Sequence, residues 1–404
     1  METIEIIPDF TFCITSKNNL RYLKHAVQYI RENCYNKDHK ILVFIDADND
    51  GTEDWCKENG IEYHKNPHTE LYGIGNAYNL LVEKATTEFV VIYHADMLAG
   101  KDMDLNLYKN WQKGIVVSAT RIEPPLHPSD PAKIVENFGL WPEEDVKDGF
   151  MKERFNDFVE HNLDNDRTTK GVFAPWLIHR EDFLSVGGHD PIMKSHSEDR
   201  DLFNRFLLNG YDFIQPWNAL VYHLTCRGGQ FEHATQTDDL AKKSDDWNNL
   251  AFRQTREFIR KWGTTPLYDE YQYPTIIPKY DIALVLENAR EDVVGYLEPY
   301  FSNIYCDTEI AVDYLASELK LTDIDITQKF KPLDSVTYND IVVKCNCDDL
   351  LANQERFKFI TMMPMVMQDN NSVGKFKYDV FDISVNKLIE YQNSLVNVKT
   401  IYLY

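Results

Sequence analysis

FVVIYHADM, residues 89–97, decides how this chain is read. Phe89 to Tyr93 is an apolar run of the length of a buried strand. It then stops on His94, Ala95 and Asp96. An acid at a strand end is ordinary by itself. In an open α/β sheet, however, the carboxyl ends of parallel strands share one edge, and ligands bind there. The flanking sequence supplies such a sheet. FTFCIT (10–15) reads as a strand, and Asn19 to Arg31 has helical spacing with Leu20, Leu23, Ala26, Val27 and Ile30 apolar. KILVFIDAD (40–48) is a strand ending on Asp46 and Asp48. A short helix from Thr52 to Asn59, a strand IEYHKN (61–66) and a helix from Gly75 to Ala85 complete the alternation. It predicts an α/β fold, a mostly parallel sheet covered by helices. Two acidic strand ends then converge on one edge. Hard oxygens brought together suit Mg²⁺ or Mn²⁺, and such an ion suits a diphosphate.

At 404 residues the chain exceeds one ordinary core, so two domains are expected. With 42 basic and 65 acidic residues the net charge is −23, a field that repels a phosphate backbone and argues against nucleic acid as a partner. The seven cysteines form no metal or disulfide framework, which is the usage of reduced thiols. METIEIIPDF is not a targeting segment, and no stretch reaches membrane-spanning length. These features predict a soluble, cytoplasmic protein.

From Gly114 to about Gly171 the pattern loosens, and regularity returns with VFAPWLIHREDFLSVGGHD (172–190), EDRDLFNRFLLNGYDFIQP (198–216) and NALVYHLTC (218–226). Residues 236–262 are polar and amphipathic and read as helical, and the three prolines of 263–280 mark a linker. Beyond it IALVLEN, a helix from about Glu291, NIYCD, DIVVKCN, FKFITMM and a helix from about Ser384 make a smaller α/β unit. The expected division is an α/β domain over 1–235, a helical segment and linker over 236–280, and a smaller accessory α/β domain over 281–404. The accessory domain is read as serving acceptor choice or a homo-oligomer.

Five segments, in order, resemble the family 2 glycosyltransferases of GT-A fold. FCITSKNNLRYLKHAVQYI (12–30) is similar to their opening strand and helix, and FIDADNDGTEDW (44–55) to the acidic segment VDDGSTDGT. GIGNAYNLLVEKATTEFVVIYHADM (73–97) resembles GxxxARNxGxxxAxGxYxxFLDAD, and SVGGHDPIMKSHSEDRDLFNRFLLNGY (185–211) resembles xxGGFDExxxxxEDxDLxxRxxxxGY. VYHL (221–224) then supplies a late histidine. The resemblance spans about residues 9–230. It implies a UDP-sugar donor bound through Thr15, Ser16, Asp46, Asp48, Gly73, Asn79, His94, Ala95 and Gly188. It implies Mn²⁺ or Mg²⁺ held by Asp96 and His223. Asp199, with Glu198 beside it, is the implied general base of an inverting transfer to a hydroxyl of a glycan or other acceptor. Trp141, Trp176 and Trp217 are expected to offer flat surfaces to a sugar ring.

Each assignment has a plainer counterpart. Asp96 can be a mere strand end, Asp46 and Asp48 turn formers in DADNDG, Asp199 a helix N-cap and His223 a core histidine. Three positions depart from the family pattern. His94 replaces the first Asp of DxD, Tyr78 the arginine of ARN, and Thr15 the proline after the first strand. QxxRW is absent, which favours addition of a single sugar over polymer extrusion. Three other readings stay open: sugar transfer onto modified nucleic-acid bases, which the net charge argues against, a non-catalytic sugar-binding or assembly module, and a nucleotidyltransferase of similar fold. The latter opens on a Gly-rich, Arg-containing loop, and TSKNNLRY (15–22) does not supply one.

Overall fold

The four apolar runs at the amino end become strands β1 (Phe10–Lys17), β2 (Lys40–Ala47), β3 (Glu62–Lys65) and β4 (Phe89–His94), paired in parallel in the order β3-β2-β1-β4. β1 and β4 are buried on both faces, which is why FTFCI and FVVIY are continuous apolar runs rather than alternating ones. Helix Leu20–Asn33 follows β1 and buries Leu23, Ala26, Val27 and Ile30 at helical spacing, and helix Ile74–Lys84 precedes β4. The computed structural model describes residues 6–227 and 245–391. Of the helix expected over 236–262, Asp245–Trp262 is helical, while 236–244 and the boundary expected at 235 lie outside the described residues.

Eight shorter strands follow. They are β5 (Met97–Ala99), β6 (Ile115–Ser118), β7 (Thr120–Glu123), β8 (Lys133–Val135), β9 (Thr168–Thr169), β10 (Trp176–His179), β11 (Asp212–Pro216) and β12 (Leu220–His223). β10, β6, β11 and β9 extend the sheet beyond β4, with β10 antiparallel to both of its neighbours. The other four form a small sheet in the order β5-β12-β7-β8. There β12 runs antiparallel to β5, with His223 opposite Met97, and parallel to β7.

The chain divides into two compact units. The first is drawn from Met1–Ser195, Asn209–Asn248 and Tyr268–Pro274, the second from His196–Leu208, Asn249–Leu267 and Thr275–Tyr404. The second holds β13 (Ile282–Glu287), β14 (Asn303–Cys306), β15 (Phe330–Pro332), β16 (Ile341–Asn346), β17 (Gly374–Tyr378) and β18 (Phe381–Val385) in the order β15-β14-β13-β16-β18-β17. Two sequence expectations are corrected here. FKFITMM is mostly helical, within Gln354–Thr361, because the Asn353 side chain accepts from the Glu355 N–H and starts the helix. The helix expected from Ser384 is instead the end of β18, in which Phe381, Ile383 and Val385 are buried at the two-residue period of a strand. No helix among the described residues is long and apolar enough to cross a membrane.

The core of the second unit contains an ion network. Glu298, fully buried, accepts from Arg256 at 3.3 Å, Arg260 at 2.6 Å, Lys329 at 2.5 Å and the Tyr314 hydroxyl at 3.0 Å. Glu318 pairs with the same two arginines. Glu298→Ala leaves buried cations without their shared partner, and is expected to lower stability by about 3–5 kcal/mol. Urea unfolding checks this. A loss below about 1 kcal/mol would mean that Glu318 suffices as their counter-ion.

Candidate functional site

The polar end of β4 lies where three strands of the first unit meet. His94 closes β4, Ala95 and Asp96 make a buried turn, and β5 begins at Met97. Because β12 pairs with β5 in the register His223–Met97, the late histidine arrives beside Asp96. The Leu224 N–H donates to the Asp96 carbonyl at 3.0 Å and fixes that register. His223 Nε2 stands 3.6 Å from Asp96 Oδ2. One ligand atom each from His94, Asp96 and His223 lie within 4.8 Å of one another.

The other ring nitrogen of His223, Nδ1, bonds Glu123 Oε1 at 2.8 Å. Glu123 is itself 2% exposed and takes Arg121 at 2.9 Å and Lys133 at 2.8 Å. Burial disfavours a charge on His223, but Asp96 and Glu123 outweigh it and push its pKa up to about 9. Burial likewise opposes ionisation of Asp96 and of Glu123. Their histidine neighbours, with Arg121 and Lys133 in the case of Glu123, hold both carboxyls below the ordinary range. None of Arg121, Glu123 and Lys133 stood out in the sequence. The signal was the alternation TRIE (120–123), which sets Arg121 and Glu123 on one face of β7.

A second group, Cys34, His39 and Asp104, has comparable spacing. Its donors and acceptors are already engaged. Asp104 accepts from the Tyr35 and Asn36 N–H groups and pairs with His39, whose Nδ1 accepts from the Phe10 N–H. It is a latch between chain segments.

Residues expected to touch a nucleotide are distributed around the edge. Thr15 is paired in register with His94 across β1 and β4. The Ser16 hydroxyl is buried and has no hydrogen-bond partner among the described residues. Asp46 accepts from Asn66 at 2.7 Å and from the Tyr72 N–H at 3.0 Å, both through Oδ1, and so shapes the loop before helix Ile74–Lys84. Asp48 lies 3.6 Å from Lys65. Gly73 has φ +92°, and a Cβ there would come within 2.6 Å of the Lys194 carbonyl. Asn79 accepts from the His189 N–H at 2.7 Å and donates to the His189 carbonyl at 2.8 Å. Gly188, at φ +65°, lets that amide approach, since a Cβ would fall 2.3 Å from Asn79 Oδ1.

The tryptophan surfaces expected from sequence are not available to a sugar. Trp176 is fully buried, stacked on Phe183, and Trp217 is covered by the Arg167 guanidinium at 4.0 Å. Trp141, 4% exposed, lies between the guanidinium groups of Arg21 at 4.8 Å and Arg227 at 4.2 Å. Arg227 is fully buried, and its charge is felt by Tyr22, whose hydroxyl burial pushes up to about 12.

Glu198 and Asp199 open helix Glu198–Leu208, which belongs to the second unit. Asp201, one turn on, is fully buried and anchors this helix. It accepts from Arg205 at 2.8 Å, Lys261 at 2.6 Å and the Trp262 indole at 2.9 Å. Glu198 is 9% exposed, and burial, reinforced by the charge of Asp199, pushes its carboxyl up to about 8.

Residues 11–183 match the family model described as glycosyl transferase family 2. No curated protein matches the chain. Similar solved structures include GalNAc-T7 with UDP, GalNAc and Mn²⁺, at 13% identity over 54% of this chain and 43% of that one, TM-score 0.39. TarS of S. aureus is 11% identical over 62% of this chain and 43% of its own, TM-score 0.40. The mannosyltransferase PcManGT from Pyrobaculum calidifontis, in complex with GDP-Man and Mn²⁺, is 15% identical over 90% and 88%, TM-score 0.41. The chain spans less than half the length of the first two.

Proposed function

We propose, from a chain whose residues 11–183 form a glycosyl transferase family 2 domain, that the protein moves one sugar from a UDP-sugar to an acceptor hydroxyl with inversion. The observation that carries this reading is the gathering of His94, Asp96 and His223 at the carboxyl edge of β4, next in register to Thr15. A carboxylate with imidazoles is a donor set that fits a divalent ion, Mn²⁺ or Mg²⁺, with Asp96 and His223 as its holders. When bound, such an ion stabilises negative charge on the leaving diphosphate.

The chain's own residues do the rest. Glu123 engages His223 Nδ1, so Nε2 is the nitrogen turned to Asp96, and the two cations on Glu123 keep that carboxylate in place. The Ser16 hydroxyl, unpartnered among the described residues, is a donor for the nucleotide, and Thr15, Asp46, Asp48, His94 and Ala95 are the further positions assigned to it, the two aspartates as acceptors. Gly73, Asn79 and Gly188 hold the backbone that borders it. Asp199 takes the acceptor proton as the new bond to the anomeric carbon forms and the bond to the diphosphate breaks. Seven cysteines without a disulfide agree with a reducing compartment, the cytoplasm, and residues 281–404 are the part assigned to acceptor choice or self-association.

A panel of nucleotide-sugars, each assayed with Mn²⁺ and with chelator, tests the reading. Release of UDP from one donor, abolished by chelation, is expected. Binding of sugar without release from any donor would instead establish the non-catalytic module, and release of pyrophosphate in a parallel assay supplied with a nucleoside triphosphate and a sugar phosphate would establish a nucleotidyltransferase.

A further inference from the structure

We infer that His94 is itself a ligand of the ion, and that the resulting centre of two imidazoles and one carboxylate takes a first-row transition ion in preference to Mg²⁺. The inference rests on the proposed reading of this edge as the metal site of a glycosyltransferase. His94 stands where the family pattern has an acid, and it has not turned away from the other two. One of its ring nitrogens is within 4.8 Å of ligand atoms of both Asp96 and His223, and the two imidazole rings are 6.2 Å apart between centroids. Phe173 lies against both rings, 6.0 Å from His94 and 6.2 Å from His223. An apolar ring therefore flanks both imidazoles.

The chemistry of the donors decides the ion. Mg²⁺ asks for oxygen, is dehydrated with difficulty and is usually held by one or two carboxylates plus phosphate. Replacing the first acid of the pair by histidine removes one of those oxygens and adds a second nitrogen, which first-row transition ions accept readily. Among the described residues the cluster has one carboxylate, Asp96. Glu123, the next acid, is bound to His223, Arg121 and Lys133. The loss of an acid at His94 is matched in charge by the loss of a base at Tyr78. The Tyr78 hydroxyl donates to the carbonyl of Tyr93, the residue before His94, at 3.1 Å. The two departures cancel, so one negative charge fewer faces the ion and one positive charge fewer faces the diphosphate.

The test uses the full chain with UDP, and Mn²⁺ as the probe, read by electron paramagnetic resonance. Bound Mn²⁺ is expected to show pulsed-resonance couplings to nitrogens of two imidazoles, and Mg²⁺ to displace it only in roughly 100-fold excess. His94→Ala should remove one nitrogen coupling. His94→Asp should also remove it and shrink the excess of Mg²⁺ needed about tenfold. Asp96→Ala reports whether the ion is at this edge at all. If that variant binds Mn²⁺ as the wild type does, the ion sits elsewhere, and both the inference and the reading beneath it fall. If binding depends on Asp96 but Mg²⁺ competes on equal terms, or His94→Ala keeps both couplings, the site stands and the inference alone is overturned.

Discussion

Asp96→Ala is expected to abolish sugar transfer, by roughly 10³-fold or more, together with Mn²⁺-dependent UDP binding, while circular dichroism stays unchanged. The size follows from its place. Asp96 is the single carboxylate among the clustered ligands and is 6% exposed, so no neighbouring acid in the cluster can take its role. The fold should tolerate the change. His223 keeps its bond to Glu123, and the strand pairing at this point is made by the Asp96 carbonyl, which the substitution retains. His223→Ala removes one neutral ligand rather than a charge and should weaken metal dependence less. Unchanged UDP affinity in Asp96→Ala would sink the assignment, because a nucleotide that does not sense this carboxylate is not held through an ion bound by it.

The part of this site that was legible in the sequence is the part made by long, doubly buried strands. FVVIYHADM shows its own end, because a continuous apolar run that stops on polar residues marks both the strand and its edge. What the residues alone did not show depends on pairing between distant segments, and only the family resemblance set His223 beside Asp96. His223 reaches Asp96 only because β12 and β5, of four and three residues, pair across more than a hundred positions of chain. Glu123 and Lys133 sit on strands of four and three residues, too short for a period to declare itself. The tryptophans failed for a different reason. Composition records that aromatic rings exist, whereas their covering by Arg21, Arg227 and Arg167 is a tertiary choice. In the second unit FDISV (381–385) alternates as a strand does, whereas the expected helix begins inside it, at Ser384. The burial of Arg256, Arg260 and Lys329 could not be read at all, since charged residues are buried only when a partner such as Glu298 is brought to them.

Asp199→Asn is expected to slow transfer by 10²–10⁴-fold with UDP-sugar binding and stability almost unchanged, since Asn caps a helix about as well as Asp but cannot accept a proton. Its neighbour is the control, and the structure gives that control a sharper form than the sequence did. Glu198 is buried, and burial together with the charge of Asp199 pushes its carboxyl up to about 8, so at neutral pH it is largely protonated. Glu198→Gln imitates that protonated acid and should leave transfer near normal at pH 7. It should also change the pH dependence of stability in a definite direction. A carboxyl whose folded pKa is raised contributes stability fully below its ordinary value of 4.5, and loses it as pH rises through about 8. Glu198→Gln therefore gains stability relative to the wild type as pH rises from about 4.5 to about 8, which thermal melts near pH 5 and pH 8 measure. The reverse pattern of rates, with Asp199→Asn active and Glu198→Gln dead, would make Glu198 the base, its pKa raised toward working pH as a proton acceptor requires. If both variants remain active, the segment only starts a helix. The proton acceptor then lies elsewhere, and Asp190, 2% exposed on the loop after Gly188, is the next acid to replace.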